Sequence, residues 1–233
     1  MSIVSSENLS RYDSSTLPGV CSPTAPAIRP KFGRMTRKSA IGAAVVALLA
    51  GIALVGCSDN GTASSGNGFA KKSAEQMAQT VRARLELAKQ GAWAIYDQNL
   101  PIADNAAAAK TTKTFVSKTS SGNVPAAFAT KVISAQIAQQ LSVERLLVQG
   151  WGAGQPLPTG TAPNYNQVVK PELVNLDDTL ANLLVTQQPS GVPKDWADYI
   201  TAAGKEQVDK LPPEIPEQDY WDALNPLKDW PKS

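Results

Sequence analysis

Residues 84–104 read RLELAKQGAWAIYDQNLPIAD, a long amphipathic helix that stops at a Leu-Pro turn. Extended upstream to Met77, the run places Met77, Val81, Leu85, Ala88, Ala92 and Ile95 at helical spacing, which gives one apolar stripe. Arg84 sits inside that stripe, an unusual place for a guanidinium. Pro101 removes a backbone donor and pushes Leu100 away from helical dihedrals, so the helix ends there. Asp104 or Asn105 then caps a second helix.

The rest of the folded part is expected to pack back onto this helix. The first helix is expected from about Lys71 to Asn99. The second runs from about Asp104 to Thr119 and ends at the turn signal Ser121-Gly122. The third begins near Val124-Pro125 and continues to Trp151. Phe128, Val132, Ile133, Ile137, Leu141, Val148 and Trp151 mark its apolar face, with Glu144 on or beside it. A Gly/Pro-rich loop precedes a fourth helix, from about Gln167 to Gln187, with Leu173, Leu176, Leu180 and Leu183 facing inward. No segment alternates with period two over more than four residues, so the class is all-α, a helical bundle. Residues 189–233 are expected to form a short helix from Trp196 to Leu211 and then a proline-rich tail. Tyr220, Trp221 and Trp230 suit a strap over the domain surface, with a partner-binding peptide as the other reading.

Composition narrows the chemistry. The chain has 233 residues, 42% of them apolar, which is enough for one folded domain of roughly 130–150 residues between biased ends. Its 22 basic and 20 acidic residues are too balanced for a nucleic-acid binder. Histidine is absent, which excludes His-based acid/base catalysis and His metal sites. The two cysteines, Cys21 and Cys57, fall outside the part expected to fold, so that part has neither a disulfide nor a Cys-ligated zinc. There is no metal-ligand spacing, Walker loop or Gly-x-Ser-x-Gly elbow, and no cofactor is implied. Gly150, Gly152 and Gly154 follow a helix and no strand, which makes them a helix end and loop. Arg84 and Glu144 remain above this background. Their plainer interpretation is an Arg–Glu pair crossing the core.

Residues 35–57 read MTRKSAIGAAVVALLAGIALVGC, with Arg37 and Lys38 ahead of an apolar run from Ile41 to Val55. That run of about 15 residues is shorter than the roughly 20 needed to span a bilayer. The segment closes with Leu54-Val55-Gly56-Cys57, which resembles the lipobox of bacterial lipoproteins. The resemblance implies a signal peptide at 35–56, cut before a Cys57 whose acylated thiol anchors the protein to a bilayer with its domain facing outward. Residues 1–34 have no periodic apolar pattern and read as a lead or a misplaced start. Residues 57–70, rich in Ser, Gly and Asn, read as a flexible tether to a domain at 71–188.

The folded part is similar to the secreted, all-helical chorismate mutases. In that family a long first helix carries Arg, then Lys eleven residues on, then a Leu-Pro-Ile-x-Asp turn. Here the matching landmarks are Arg84-Leu85-Glu86, Leu100-Pro101-Ile102-Ala103-Asp104, Ser134-Ala135-Gln136-Ile137-Ala138 and Lys170-Pro171-Glu172-Leu173, in order across residues 74–187. The resemblance implies a pericyclic rearrangement of chorismate to prephenate, carried out by cations that hold two carboxylates and by donors at the ether oxygen. It assigns Arg84 and Glu144 to the reaction centre and Lys170 to a substrate carboxylate. Ile95 stands at the family's lysine position and Ala107 at another arginine position, with Lys110 one turn further as a substitute.

Loss of one ether-oxygen donor costs on the order of a hundredfold to a thousandfold in rate. Two lost charged hydrogen bonds weaken binding of a dicarboxylate by about 1.5 to 3 kcal/mol each. One reading is therefore an extracytoplasmic mutase with an altered site. The other, favoured by the residues, is a lipid-anchored binding or envelope-interaction module that keeps the fold without the chemistry. A plain structural protein is weaker, because it leaves Arg84 and Glu144 buried without a reason. A monomer and a two-fold homodimer are both compatible with the sequence.

Overall fold

The computed structural model describes residues 65–188 and 191–231, and among these every regular element is helical. The expected signal peptide and lipobox, with Cys57, lie outside the described residues. No described helix is long and apolar enough to cross a membrane.

Helix α1 spans Ser65–Gln98, α2 Asn105–Ser120 and α3 Ala126–Gly152. A π-helical turn at Tyr165–Val169 leads into α4, Lys170–Gln187. Then follow α5, Trp196–Val208, and α6, Glu217–Leu224, which runs into a 3₁₀ turn at Asn225–Asp229. Helix α1 is the central element and packs against α3, α4, α5 and α6. Its buried face is rich in alanine (Ala70, Ala74, Ala78, Ala88, Ala92) around Met77, Val81 and Leu85. Small side chains at these positions let neighbouring helices approach closely.

Local chemistry explains several element ends. Asp104 caps α2, its carboxyl accepting from the Ala107 amide at 2.9 Å. Asn164 caps the π turn in the same way, accepting from the Gln167 amide at 2.9 Å. After α2 the chain reverses through Gly122 and Asn123, the latter at φ 59°. A Cβ on Gly122 would stand 2.6 Å from Val185 Cγ1, so glycine permits α4 to lie against this turn.

Two expectations need correction. Helix α1 begins at Ser65 and takes up the end of the stretch expected to be a tether, because Ala70 and Ala74 are buried in the main core. The C-terminal segment is no strap laid over the surface. Pro216 precedes α6, acidic residues fill the first turn, and Tyr220, Ala223, Leu224, Leu227 and Trp230 enter the same core as α1 and α3. The polar handles of these aromatics are satisfied inside: Trp196 Nε1 donates to the Leu227 carbonyl at 2.7 Å, and Tyr220 Oη to the Ala78 carbonyl at 3.3 Å. Trp230 packs on Phe128 and Trp196, with ring centroids 5.0 and 5.5 Å apart.

Candidate functional site

In the second half of α1, Arg84, Gly91 and Ile95 share one face, at intervals of seven and four residues. That face meets α3 through Gln140 and Glu144, one turn apart, and α4 through Asp177. Arg84 is 4% exposed, Asp177 8% and Glu144 0%. The guanidinium donates through Nη1 to Asp177 Oδ1, a buried ion pair, and through Nη2 to Gln140 Oε1 at 2.9 Å. Gln140 Nε2 in turn donates to Glu144 Oε1 at 2.9 Å. One amide thus links the cation to the second carboxyl. Arg84 Nε and Glu144 Oε2 are buried without a hydrogen-bond partner.

Gly91 has a steric reason. A Cβ there would lie 2.8 Å from Glu144 Oε1 and 3.4 Å from Val169 Cγ1, so the bare backbone of α1 admits the Glu144 carboxyl and the π turn together. The π turn brings Tyr165 to the edge of the cluster, where its ring packs with Leu87, Ala94, Val169 and Leu173. Gln98 anchors that turn, donating to the Pro163 carbonyl at 2.8 Å and accepting from the Tyr165 amide at 3.4 Å.

One cation faces two carboxyls in a dry setting, and the titrations follow from that. Burial pushes the Glu144 carboxyl up to about 7, against the weaker opposing pulls of Gln140, Arg84 and Arg145. Burial also raises Asp177, and the Arg84 guanidinium works in the other direction. The Tyr165 phenol is raised to about 12, first by burial and then by the charge of Glu144. At neutral pH, then, Arg84 and Asp177 form an ion pair beside a Glu144 that is about half protonated. In its neutral form Glu144 has a proton it can donate.

Arg84 and Glu144, singled out in the sequence, therefore come together, joined through Gln140. Ile95 is buried, 2% exposed, and brings no polar group to the cluster. Ala107 lies in the first turn of α2, where its amide serves the Asp104 cap. Lys110 and Lys170 are exposed, on α2 and at the start of α4, and among the described residues neither makes a hydrogen bond or ion pair. Asp177, Gln140 and Gly91 were not anticipated. A cavity of about 810 Å³ beside the C-terminal end of α3, lined by Lys89, Leu146, Trp151, Leu157 and Glu214 among others, includes none of the cluster residues. Among the described residues no group of His, Cys, Asp or Glu could hold a metal ion.

No family model and no curated protein matches the sequence. Solved structures do match in fold. A chorismate mutase from Burkholderia thailandensis superposes with a TM-score of 0.59 at 20% identity, over 67% of this chain and 99% of its own. A chorismate mutase from Burkholderia phymatum gives 0.58 at 18% identity, over 68% and 97%. A secreted chorismate mutase from Yersinia pestis gives 0.54 at 14% identity, over 68% and 98%. With nearly the full length of each neighbour covered, this chain carries the all-helical fold of the chorismate mutases, the secreted type included.

Proposed function

We propose that the protein is a lipid-anchored, extracytoplasmic module that keeps the chorismate mutase fold without the rearrangement. The observation that carries this reading is the engagement of Arg84 by two groups of its own chain, Asp177 and Gln140. A site for a dicarboxylate presents cations with unfilled hydrogen-bonding capacity, and it excludes anions of its own. Here the central cation is neutralised, Ile95 supplies no donor for an ether oxygen, and Lys110 and Lys170 stand on the exterior. The lipobox ending in Cys57 and the secreted neighbour support the outward location.

A second reading rests on Glu144. A carboxyl with a pKa of about 7 beside a guanidinium is a serviceable proton donor at neutral pH, which suits stabilisation of a developing negative charge on an ether oxygen. That would preserve a weak mutase built on Arg84 and Glu144 alone.

Full-length protein and its C57S variant test the proposal in one preparation. The wild type is expected in the membrane fraction and C57S in the soluble fraction, with neither consuming chorismate above the uncatalysed rate by loss of its absorbance. Turnover that disappears on Arg84→Ala would establish the mutase reading in its place. Equal partitioning of the two proteins would remove the lipid anchor.

A further inference from the structure

Cys57, which the lipobox resemblance marks for acylation, stands eight residues before Ser65, the first residue of α1. Eight residues reach about 29 Å at full extension, so an acylated Cys57 in a bilayer keeps the start of α1 within that distance of the lipid surface. The first turns of α1 have the side chains for such a neighbour. Phe69 is 39% exposed. Lys72, three residues on and on the same face, is exposed and makes no hydrogen bond or ion pair among the described residues. Lys71 is exposed beside it, with Glu75 at 4.0 Å. Ala70, Ser73 and Ala74, on the inner side of these turns, are buried and fix Phe69 outward. An aromatic ring beside lysines is the composition that settles at the boundary between acyl chains and headgroups.

Further along, α1 has no such strip. Met77, Ala78, Val81, Leu85 and Ala88 are buried under the neighbouring helices, and Arg82 and Lys89 are held by Gln207 and Glu214 of the C-terminal segment. The helix therefore meets a bilayer by its end and cannot lie along it. Arg84 faces Gln140, Gly91 faces Glu144 and Tyr96 packs on Trp151, so α1 and α3 run parallel, and the cavity lined by Lys89 and Trp151 belongs to the opposite end of the bundle. Lys89 lies about 30 Å along the axis from Phe69. We infer that Phe69, Lys71 and Lys72 form a docking patch for an anionic lipid surface, which seats the domain end-on with the cavity turned away from the membrane. This rests on the lipid-anchored reading and adds to it the face that meets the lipid. One aromatic and two lysines hold a vesicle weakly by themselves, but the acyl chain on Cys57 presents them at an effective concentration on the order of millimolar, where weak contact suffices.

The test uses the protein in its processed, acylated form on vesicles of phosphatidylcholine with a minor share of phosphatidylglycerol. A thiol-reactive nitrobenzoxadiazole label is placed on Gly68→Cys, where a side chain meets nothing within 4 Å, or on Asp97→Cys, exposed near the far end of α1. Position 97 is about 40 Å along the axis from position 68. With a nitroxide lipid carrying its spin label near the headgroup, quenching at 68 is expected to exceed that at 97 by about fivefold or more. Adding F69S and K72E to the Gly68→Cys chain should cut its quenching by about threefold or more, while the protein still pellets with the vesicles through its acyl chain. Bound protein with equal quenching at 68 and 97 overturns the docking, and so does quenching at 68 that F69S/K72E leaves unchanged. A blue-shifted but unquenched label at 68 would mean that the ends of α1 meet in a second copy, which also overturns it. Failure of the anchor reading has a separate signature: a wild type that takes the label at Cys57 or stays in the supernatant removes the anchor, and the docking with it.

Discussion

The two halves of α1 bury their faces by opposite means. Its first half, from Ala70 to Val81, lies in an apolar core built with α3, α5 and α6, and the polar atoms admitted there, such as the Trp196 indole and the Tyr220 hydroxyl, each reach a carbonyl. The second half carries Arg84 and Gly91 into a cluster with Gln140, Glu144 and Asp177, in which two polar atoms have no partner. Both halves are equally shielded from water. In the first, burial is the source of stability, whereas in the second it is a cost that the fold tolerates.

Truncation should separate the two halves. Trp196→Ala removes the largest fully buried side chain among the described residues and its bond to Leu227, and is expected to lower stability by about 3–5 kcal/mol in urea unfolding. A loss under 1 kcal/mol would show that the apolar half is not where stability resides. In the other half, Arg84→Met leaves Asp177 buried and unpaired, with an expected loss of about 3 kcal/mol near pH 8. The double variant R84M/D177L should recover most of that loss or exceed the wild type, since well-packed apolar replacements of buried ion pairs are often neutral or stabilising. If the double variant is as unstable as R84M, the cluster contributes to stability after all.

The smallest effect concerns protons. Because the folded Glu144 carboxyl titrates at about 7, above its ordinary 4.5, its stabilising contribution is complete below about 4.5 and is lost as the pH rises through 7. Wild-type stability should fall by on the order of 2 kcal/mol between about pH 5 and pH 8, and Asp177, also raised, acts in the same direction. Glu144→Gln should flatten that slope and be the more stable protein, relative to wild type, at pH 8. Parallel curves for the two proteins would place the proton elsewhere.

Much of the bundle was legible because periodicity and punctuation agree. Arg84 stood out against its own stripe, the Leu-Pro turn ended α1 within two residues of the expected place, and the caps of α2 follow from residue type. Asp177 stayed hidden for a phase reason. Leu173, Leu176, Leu180 and Leu183 form a plausible inward row, yet the buried row is Leu173, Asp177, Leu180 and Leu184, with Leu176 and Leu183 only partly covered. Two choices of phase differ by one residue, and hydrophobicity selects the one without the carboxylate. On α3 the same preference passed over Gln140, which is buried among apolar neighbours and placed to bond across to α1. Gly91 has no signal in a single sequence, because the reason for it sits on another helix. The C-terminal segment was misjudged on composition: prolines suggest an extended chain, but Pro216 stands at the N-cap of α6 and Pro226 in the first residues of the 3₁₀ turn, where a missing amide costs nothing.

The placement of Trp230 against Phe128 and Trp196 joins three stretches that lie far apart along the chain. Bringing such distant segments together closes long loops, a cost in chain entropy that grows only slowly with loop length. The three rings therefore act as a long-range clasp, tying the C-terminal segment to α3 and α5 through contacts that no local stretch of sequence could make by itself.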